Sequence, residues 1–277
     1  MRVVVCAKEV LDPDAVNAFA VNGRLALSDD GREIVQAGVP RLMNGYDEQG
    51  IEAALRLRDS GHPVALTVLT VGPARPELAR KAFALGADEV VQIDTGMTTH
   101  DPICTGRIIA AYVKTIGGAE LTICGRQASD DDQGVVPGVV GEFLAVPVVQ
   151  LVRELSVQDG ILRLVRVTPA GDEGVECALP AVISITSELG AVRAPNARNM
   201  LAARRKAVTH LRLEDLGLAA AEVAPRLRLR RLEVPQKQVT CHFLPPGDPA
   251  AAAAELLREL REHGLFLSGP AARNAGA

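Results

Sequence analysis

The sequence contains no tryptophan, and Phe, Trp and Tyr together make up only 3% of its 277 residues. Proteins that bind single-stranded nucleic acids stack the bases on aromatic side chains, so this scarcity argues against such a role. A formal net charge of −4 provides no general attraction to phosphate backbones either. We therefore expect no nucleic acid among the partners of this chain.

Long hydrophobic runs are also missing, since no stretch approaches the roughly 18 consecutive apolar residues that a membrane-spanning helix needs. The N-terminal residues MRVVVCAKEV begin a strand pattern at once, without the apolar core and cleavage site of a secretory signal. These two absences predict a cytoplasmic protein that does not insert into a membrane.

Cysteines are few, and their pattern excludes two kinds of stabilising site. They are odd in number, widely spaced and without a CxxC pair, which argues against both a disulfide framework and a structural zinc site. We expect them to pack as small apolar residues. The five positions are Cys6, Cys104, Cys124, Cys177 and Cys241.

Motifs of conventional catalysis are absent as well: the sequence has no GxSxG, no GKS or GKT phosphate loop and no HExxH. His100 and Asp101, in the segment THDP, resemble a metal-binding pair, but a helix N-cap is the simpler interpretation. Conventional catalytic machinery is therefore missing, which agrees with a carrier rather than an enzyme.

What the sequence does contain is a regular alternation of short apolar runs and segments with helical spacing. Strands that are apolar on both faces and alternate with helices form a parallel sheet covered on both sides. The fold class predicted is α/β, with a doubly wound, mainly parallel sheet of the Rossmann-like type. Strands are predicted at 2–6, 64–71, 89–93, 120–124 and 181–186, and helices at 46–59, 75–85, 102–116 and 134–144.

Three segments depart from this alternation. Residues 20–37 suggest a β-hairpin insertion that turns at Asp30 and Gly31, and residues 148–178 suggest an antiparallel appendage on the sheet edge. After about residue 190 come a basic segment (RNMLAARRK), an arm (RLRRLEVPQKQVT) and an Ala-rich helix at 249–263. We predict a nucleotide-binding domain at 1–190, and a partner-recognition segment with a C-terminal arm at 191–277.

In doubly wound sheets, ligands bind beyond the carboxyl ends of the strands, where the winding direction reverses. The loops at 6–10, 71–73 and 125–134 should therefore share one edge. In the last of these, Gly125 and Gly134 allow the backbone to approach a ligand closely, and the amides that open the next helix suit an anion. This loop is the predicted phosphate site.

The same loop contains three consecutive acids, Asp130, Asp131 and Asp132, which would repel a phosphate. The conflict disappears if these side chains hold the loop, cap the helix or accept hydrogen bonds from ribose hydroxyls, while backbone amides face the phosphate. The alternative is a solvated acidic turn that only caps the helix. We call residues 125–136 the acid loop.

Several blocks occur in a familiar order and spacing: VVVCAKEVLDPD, MNGYDEQGIEAALRLRD, TVGPARPELARKAFALGADEVVQI, CGRQASDDDQG and NMLAARRKA. Along essentially its whole length the chain resembles the β subunit of electron transfer flavoproteins, the group that includes the FixA proteins. The resemblance implies a heterodimer in which the α subunit holds a redox-active FAD and the β subunit embraces it. Such a carrier takes electrons from dehydrogenases and passes them to a quinone reductase or another acceptor.

The resemblance also implies an AMP, structural rather than reactive, in the β subunit. Asn44 has a second interpretation, as the N-cap of the helix that follows it. The implied nucleotide contacts are Cys6, Asn44, Gly45, Tyr46, Asp47, Val71, Gly125, Arg126, Gln127, Ala128, Ser129, Asp130, Asp131, Asp132, Gln133, Gly134, Val135 and Val136.

A partner-recognition surface is implied at Ala197, Asn199, Arg204, Arg205 and Lys206. Relatives of the mitochondrial type carry an apolar anchor, commonly leucine, at or near the position of Ala197, and this anchor docks into acyl-CoA dehydrogenases. Alanine buries much less apolar surface. We therefore expect weak docking to a typical acyl-CoA dehydrogenase, or a different partner. The alternative is that the basic residues form only a solvated helix face.

Departures from the family pattern leave other functions open. Gly45 replaces a common proline, and Val135 stands where relatives usually have glutamine. Electron-bifurcating members bind a second FAD instead of AMP and tend to show VPDT and DGD, whereas this chain has VLDPD and DDD, which favours AMP. Two other classes are a nucleotide-binding regulator resembling stress proteins, which is usually shorter, and an ATP-cleaving ligase or pyrophosphatase, which would need a phosphate loop where CAKEVLD stands.

Overall fold

The structure, a computed structural model, describes residues 1–73, 75–96, 101–195, 197–234, 241–244 and 247–265. The chain divides into two units, Met1–Val234 and Pro235–Ala277. His100 and residues 235–240 of the predicted arm lie outside the described residues. The segment 191–234 belongs to the first unit.

Strands and helices alternate through most of the first unit. The strands are β1 (Arg2–Cys6), β2 (Glu9–Leu11), β3 (Arg41–Met43), β4 (Ala65–Val71), β5 (Glu89–Asp94), β6 (Leu121–Gly125), β7 (Val148–Gln158), β8 (Ile161–Thr168), β9 (Gly171–Ala178), β10 (Ala181–Ile185) and β11 (Thr209–Arg212). The α-helices are α1 (Pro13–Val21), α2 (Gly45–Asp59), α3 (Pro76–Leu85), α4 (Pro102–Thr115), α5 (Val136–Leu144), α6 (Ala197–Ala203) and α7 (Pro249–Glu262). Short 3₁₀ helices lie at Ser187–Leu189, Glu214–Leu216 and Ala220–Val223.

One nine-stranded sheet organises the first unit, with the strand order β11-β5-β4-β1-β6-β10-β7-β8-β9. The strands from β11 to β7 in this order are parallel, and β8 and β9 continue antiparallel from β7. The predicted α/β fold and the antiparallel appendage are confirmed. The turn between β7 and β8 has the left-handed residues Asp159 (φ 52°) and Gly160 (φ 77°), as a two-residue hairpin requires.

Alternate side chains of β1 enter two different cores, which explains why its sequence is apolar throughout. Val3 and Val5 pack on the side that α2 and α3 cover, whereas Val4 and Cys6 pack on the side of α4. Both faces of the strand are therefore removed from water, as expected for a central parallel strand. This double burial fixes the position of the loop that follows Cys6.

The predicted hairpin insertion is present, but its paired strands lie further apart in sequence than expected. Strand β2 pairs antiparallel with β3, and a single bridge joins Leu27 to Ile34 around the predicted turn. Helix α1 was not predicted. It begins in the segment DPD, where the Asp12 side chain accepts a hydrogen bond from the Asp14 amide at 3.0 Å and Pro13 is the first helical residue.

The second unit contains the predicted Ala-rich helix, α7. The Asp248 carboxylate caps this helix by accepting a hydrogen bond from the Ala250 amide at 2.9 Å. Leu256 and Leu257 of α7 are exposed.

Candidate functional site

A cavity of about 410 Å³ opens at the carboxyl ends of β1, β4 and β6. Strand β1 lies between β4 and β6: the chain winds from β1 through β4 to β5 and then returns to β6 on the other side of β1. This reversal of winding is where ligands bind in open α/β sheets. The volume lies in the range of small-ligand sites. We call it the switch-point cavity.

Most of the predicted nucleotide contacts line this cavity, and a few do not. Gly45, Tyr46 and Ser129 line a neighbouring cavity beside the β2–β3 hairpin, and Asp132 lines neither cavity. The predicted residues that do line the switch-point cavity are Cys6, Asn44, Asp47, Val71, Gly125, Arg126, Gln127, Ala128, Asp130, Asp131, Gln133, Gly134, Val135 and Val136.

The three acids are tied down by their own surroundings. Lys8, which follows β1, places its Nζ 2.8 Å from Asp130 Oδ1 and 3.7 Å from Asp131 Oδ2. Asp132 Oδ1 accepts a hydrogen bond from Gln127 Nε2 at 2.8 Å, while its own backbone adopts a φ of 51°. The acids therefore hold the loop, as one of the predicted arrangements requires, and Lys8 offsets their charge at the cavity.

Free backbone amides lie at the end of the acid loop. The amide of Gln133 donates to Asp131 Oδ1 at 3.2 Å, and that of Asp132 donates to the Ala128 carbonyl at 2.8 Å. No residue that the structure describes accepts a hydrogen bond from the amides of Gly134 and Val135, and Val135 caps α5 without a side-chain bond. These amides, at the positive end of a helix, suit an anion.

Asn44 lies at the N-cap position of α2, but its side chain makes no capping hydrogen bond. Its Nδ2 donates instead to the Gln127 carbonyl at 2.8 Å, which fastens the acid loop to the start of α2. Its Oδ1 is buried and has no partner among the described residues. A buried acceptor without a partner, on a residue that lines the cavity, fits a ligand that donates a hydrogen bond.

Asp47 forms part of the cavity floor and joins two loops. Its Oδ2 accepts a hydrogen bond from the Lys8 amide at 2.8 Å, and the side chain is buried. Burial raises the pKa of Asp47 to about 7, although the Lys8 amide favours the charged form. Asp47 therefore releases its proton at a higher pH than an exposed aspartate does.

Gly125 permits a close approach between strand β6 and helix α2. A Cβ at this position would overlap the Asp47 Oδ1 and lie 2.9 Å from the Tyr46 Cβ. The sequence predicted close backbone approach to a ligand at Gly125; the structure shows close approach to Tyr46 and Asp47, so the glycine is already required by the protein itself.

Sequence reasoning missed the side of the cavity that α4 forms. Asp101, Pro102, Thr105 and Ile109 all line it, because α4 follows β5 at the same sheet edge. The predicted N-cap at Asp101 is confirmed by a 2.7 Å hydrogen bond that its Oδ1 accepts from the Cys104 amide. The topological rule applied to the loop after β5 would have found this helix.

The predicted partner-recognition residues lie on and just after α6. Ala197 is exposed at the start of the helix, as are Arg204 and Arg205 beyond its end. Lys206 is engaged, since its Nζ donates to the Ala87 carbonyl at 2.8 Å and lies 4.9 Å from the Phe83 ring centroid. Sequence reasoning overlooked two exposed apolar residues, Met200 and Leu201, which are 49% and 59% exposed.

An ion-pair network holds the chain that leads into α6. Glu52, buried on α2, accepts a hydrogen bond from Arg193 Nε at 2.7 Å, and Asp59 accepts one from Arg193 Nη2 at 2.7 Å. Arg56 donates to the carbonyls of Leu189 and Ala191 at 2.8 and 2.9 Å. Helix α2 therefore shapes both the switch-point cavity and the approach to α6.

Comparison with known proteins supplies the family. Residues 32–216 match the family model described as "Electron transfer flavoprotein domain". The chain is 35% identical over 203 residues to "Electron transfer flavoprotein subunit beta" of Mycobacterium leprae, an alignment that covers 71% of this chain and 76% of the relative. The chain belongs to the electron transfer flavoprotein β-subunit family.

Two further relatives support the FixA-like branch of this electron transfer flavoprotein family. The chain is 30% identical over 221 residues to "Caffeyl-CoA reductase-Etf complex subunit CarD" of Acetobacterium woodii, covering 79% of this chain and 81% of the relative. It is 30% identical over 225 residues to the subunit beta of Clostridium acetobutylicum, covering 80% and 83%. The resemblance inferred from the sequence is confirmed.

Neither a membrane-spanning helix nor a metal-binding cluster occurs among the described residues. No helix there is both long and apolar enough to cross a membrane. No group of three or more His, Cys, Asp or Glu side chains there is arranged to hold a metal ion.

Proposed function

We propose that this chain is the β subunit of a heterodimeric electron transfer flavoprotein, an electron carrier rather than an enzyme, located in the cytoplasm. The complex accepts electrons from dehydrogenases and delivers them to a quinone reductase or another acceptor. FAD, held mainly by the α subunit, carries the electrons. The role of this chain is to bind a structural nucleotide, to embrace the α subunit through residues 191–277 and to present a docking surface.

The observation that carries this proposal is the switch-point cavity with its acid loop, whose three carboxylates are engaged by Lys8 and Gln127. A nucleotide phosphate fits the amides of Gly134 and Val135, because Lys8 and the loop contacts already engage the nearby carboxylates. The unpartnered Asn44 Oδ1 accepts a hydrogen bond from an amino or hydroxyl group of the nucleoside. AMP meets both requirements with one phosphate. A second FAD is the alternative, because a relative carries the name of a caffeyl-CoA reductase-Etf complex.

The nucleotide content of the purified heterodimer tests this site. Ligands released by denaturation and separated by chromatography should give one AMP and one FAD per heterodimer. Two FAD and no AMP would support the bifurcating alternative, and one FAD with no second nucleotide would overturn the proposed site. A homodimer of this chain that binds a nucleotide but does not bind the α subunit would favour the other class named above, a nucleotide-binding regulator resembling stress proteins.

Gly134→Val provides a site-specific test with a matched control. Gly134 adopts a φ of +62°, and a Cβ would lie 3.0 Å from the Arg126 carbonyl oxygen, so a β-branched residue strains the loop. We expect at least tenfold weaker nucleotide binding. Gly138 lies in α5, four residues after Gly134, and a Cβ there would have its nearest contact at 3.6 Å, so Gly138→Ala should bind the nucleotide normally. Equal nucleotide content in the two variants would contradict the proposed phosphate position.

The docking surface for the electron donor is proposed at α6, with Met200 and Leu201 as apolar contacts and Arg204 and Arg205 as the basic rim. Docking would remove the exposed side chains of Met200 and Leu201 from water, and the arginines would steer an acidic partner towards this surface. Ala197 contributes little, so transfer from a typical acyl-CoA dehydrogenase should be weak.

Rates of electron transfer from an acyl-CoA dehydrogenase test this surface. Ala197→Leu should increase the rate if position 197 is the anchor. Met200→Ser should decrease the same rate several-fold without changing the melting temperature, because Met200 is half exposed. Efficient transfer by the unaltered protein, with no response to either substitution, would show that α6 is not the docking element.

A further inference from the structure

Two cysteines lie side by side on the floor of the switch-point cavity. In the parallel pairing of β1 with β6, Val5 lies opposite Ile123, so Cys6 and Cys124 are the next pair in register. Both side chains enter the core that α4 covers, which places them on the same face of the sheet. Both are buried, and both line the cavity. The pair is therefore a vicinal dithiol at a ligand-accessible position.

The surroundings of this dithiol decide which chemistry suits it. Both thiols are buried among apolar side chains, and such surroundings favour the neutral thiol over the thiolate. A neutral buried thiol is a poor nucleophile, which argues against alkylation and against oxidation by peroxide. A soft metal ion can still displace the protons, because the metal–sulfur bonds stabilise the thiolates.

The number of ligands selects the kind of ion. Structural zinc needs four protein ligands, and the described residues contain no group of three or more His, Cys, Asp or Glu side chains suited to a metal. Monovalent copper prefers soft thiolate ligands and is satisfied by two of them. Cys6 and Cys124 provide that number on adjacent strands, in a cavity that a small ion can enter.

We infer that Cys6 and Cys124 form a two-thiolate site for a soft monovalent cation of the Cu(I) class on the floor of the switch-point cavity. Two copper–sulfur bonds form, the two thiol protons pass to solvent, and no oxidation state changes. Because the same cysteines line the space proposed for the nucleotide, the ion and the nucleotide exclude each other. This competition rests on the proposed nucleotide site, whereas the copper site itself does not.

Copper titration of the full-length protein in its heterodimer, stripped of nucleotide and kept anaerobic, tests the site. Cu(I) is partitioned between the protein and a chromogenic Cu(I) chelator. We expect one tightly bound Cu(I) per β subunit, and at least tenfold weaker binding in Cys6→Ser and in Cys124→Ser. Cys104→Ser is the matched control, because Cys104 is buried in the same core but does not line the cavity. This variant should bind copper normally.

X-ray absorption of the copper-loaded unaltered protein gives a second readout that does not depend on variant folding. Two sulfur neighbours are expected. Tight copper binding that survives in both single serine variants, or a copper centre without two sulfur neighbours, would overturn the inference.

Competition separates this inference from the proposed function. Adding AMP should weaken copper binding at least tenfold, and copper should displace AMP. If AMP binds but leaves copper affinity unchanged, the predicted competition is wrong, and the two serine variants and the X-ray absorption alone decide the copper site. If AMP does not bind while copper still requires both cysteines, the proposed nucleotide site fails and the copper site stands.

Discussion

Gly125→Ala should damage both the fold and the cavity, although it adds a single methyl group. The new Cβ would overlap Asp47 Oδ1 and would lie 2.9 Å from the Tyr46 Cβ and 3.1 Å from the Tyr46 carbonyl carbon. The Tyr46 Cβ and carbonyl carbon are fixed by the main chain, so no side-chain rotation can move them away. The N-terminus of α2 must move instead.

The cost of Gly125→Ala has two parts. Overpacking of this kind costs about 1–3 kcal/mol. The Asp47 carboxyl, once displaced, also weakens the hydrogen bond that it accepts from the Lys8 amide at 2.8 Å, a further cost of about 1–2 kcal/mol. Together these give about 2–5 kcal/mol. For a protein of this size the melting temperature should fall by roughly 4–20 °C.

Gly45→Ala is the matched control for this prediction. Gly45 is the first residue of α2, only two positions before Asp47, and a Cβ there would have no atom within 4 Å. Alanine is the better helix former by about 0.5–1 kcal/mol, so this variant should melt at or slightly above the wild-type temperature.

Thermal unfolding and AMP titration of the two variants provide the comparison. Gly125→Ala should also bind AMP at least tenfold more weakly, because Asp47 and Asn44 line the cavity from the displaced end of α2. Equal melting temperatures for the two variants would refute the steric argument. A lower melting temperature with unchanged AMP affinity would refute the link between α2 and the ligand.

Two further predictions concern buried carboxyl groups. Asp101→Ala removes the N-cap of α4 and the acceptor for the Arg226 and Leu227 amides. The free energy of unfolding, measured in urea, should therefore fall by about 2–4 kcal/mol. A decrease below about 0.5 kcal/mol would contradict this role of Asp101. Asp47→Asn should flatten the pH dependence of stability. The folded-state pKa of Asp47 is raised to about 7, so the wild-type free energy of unfolding should fall as the pH rises from about 4 to 7, by at most about 1.4 kcal/mol per pH unit. Urea unfolding of the wild type and of Asp47→Asn across this range measures the effect. Equal pH dependence in the two proteins would show that Asp47 titrates normally.

The sheet could be predicted because its central strands are buried on both faces and therefore apolar throughout. Strand β11 could not, since three of its four residues are exposed and it carries no apolar run. Helix α1 carries a readable signal in its Asp-Pro start, but the helix buries no residue and has no clear apolar face. Edge elements of this kind are fixed by tertiary pairing rather than by local pattern.

The candidate site was predictable as a place but not as a set of contacts. Topology locates the edge where β1, β4 and β6 end, and this requires only the order of strands. The pairing of Lys8 with Asp130 spans 122 positions in sequence, and no spacing rule connects such residues. The same holds for Asn44 and the Gln127 carbonyl, 83 positions apart. Tertiary contacts, not local propensity, complete the acid loop.

Three adjacent acids are compatible with an anion site because each carboxylate already has a partner within the protein. The Lys8–Asp130 pair is more than one-third exposed on both sides, so it adds little to stability. Instead, this ion pair positions the acid loop: it holds the loop beside the segment that follows Cys6 at the end of β1. With the carboxylates engaged by Lys8, Gln127 and the Gln133 amide, the groups left facing the cavity at the start of α5 are backbone N–H donors. A sequence that looks repulsive to phosphate thus folds into a loop that presents amides to it.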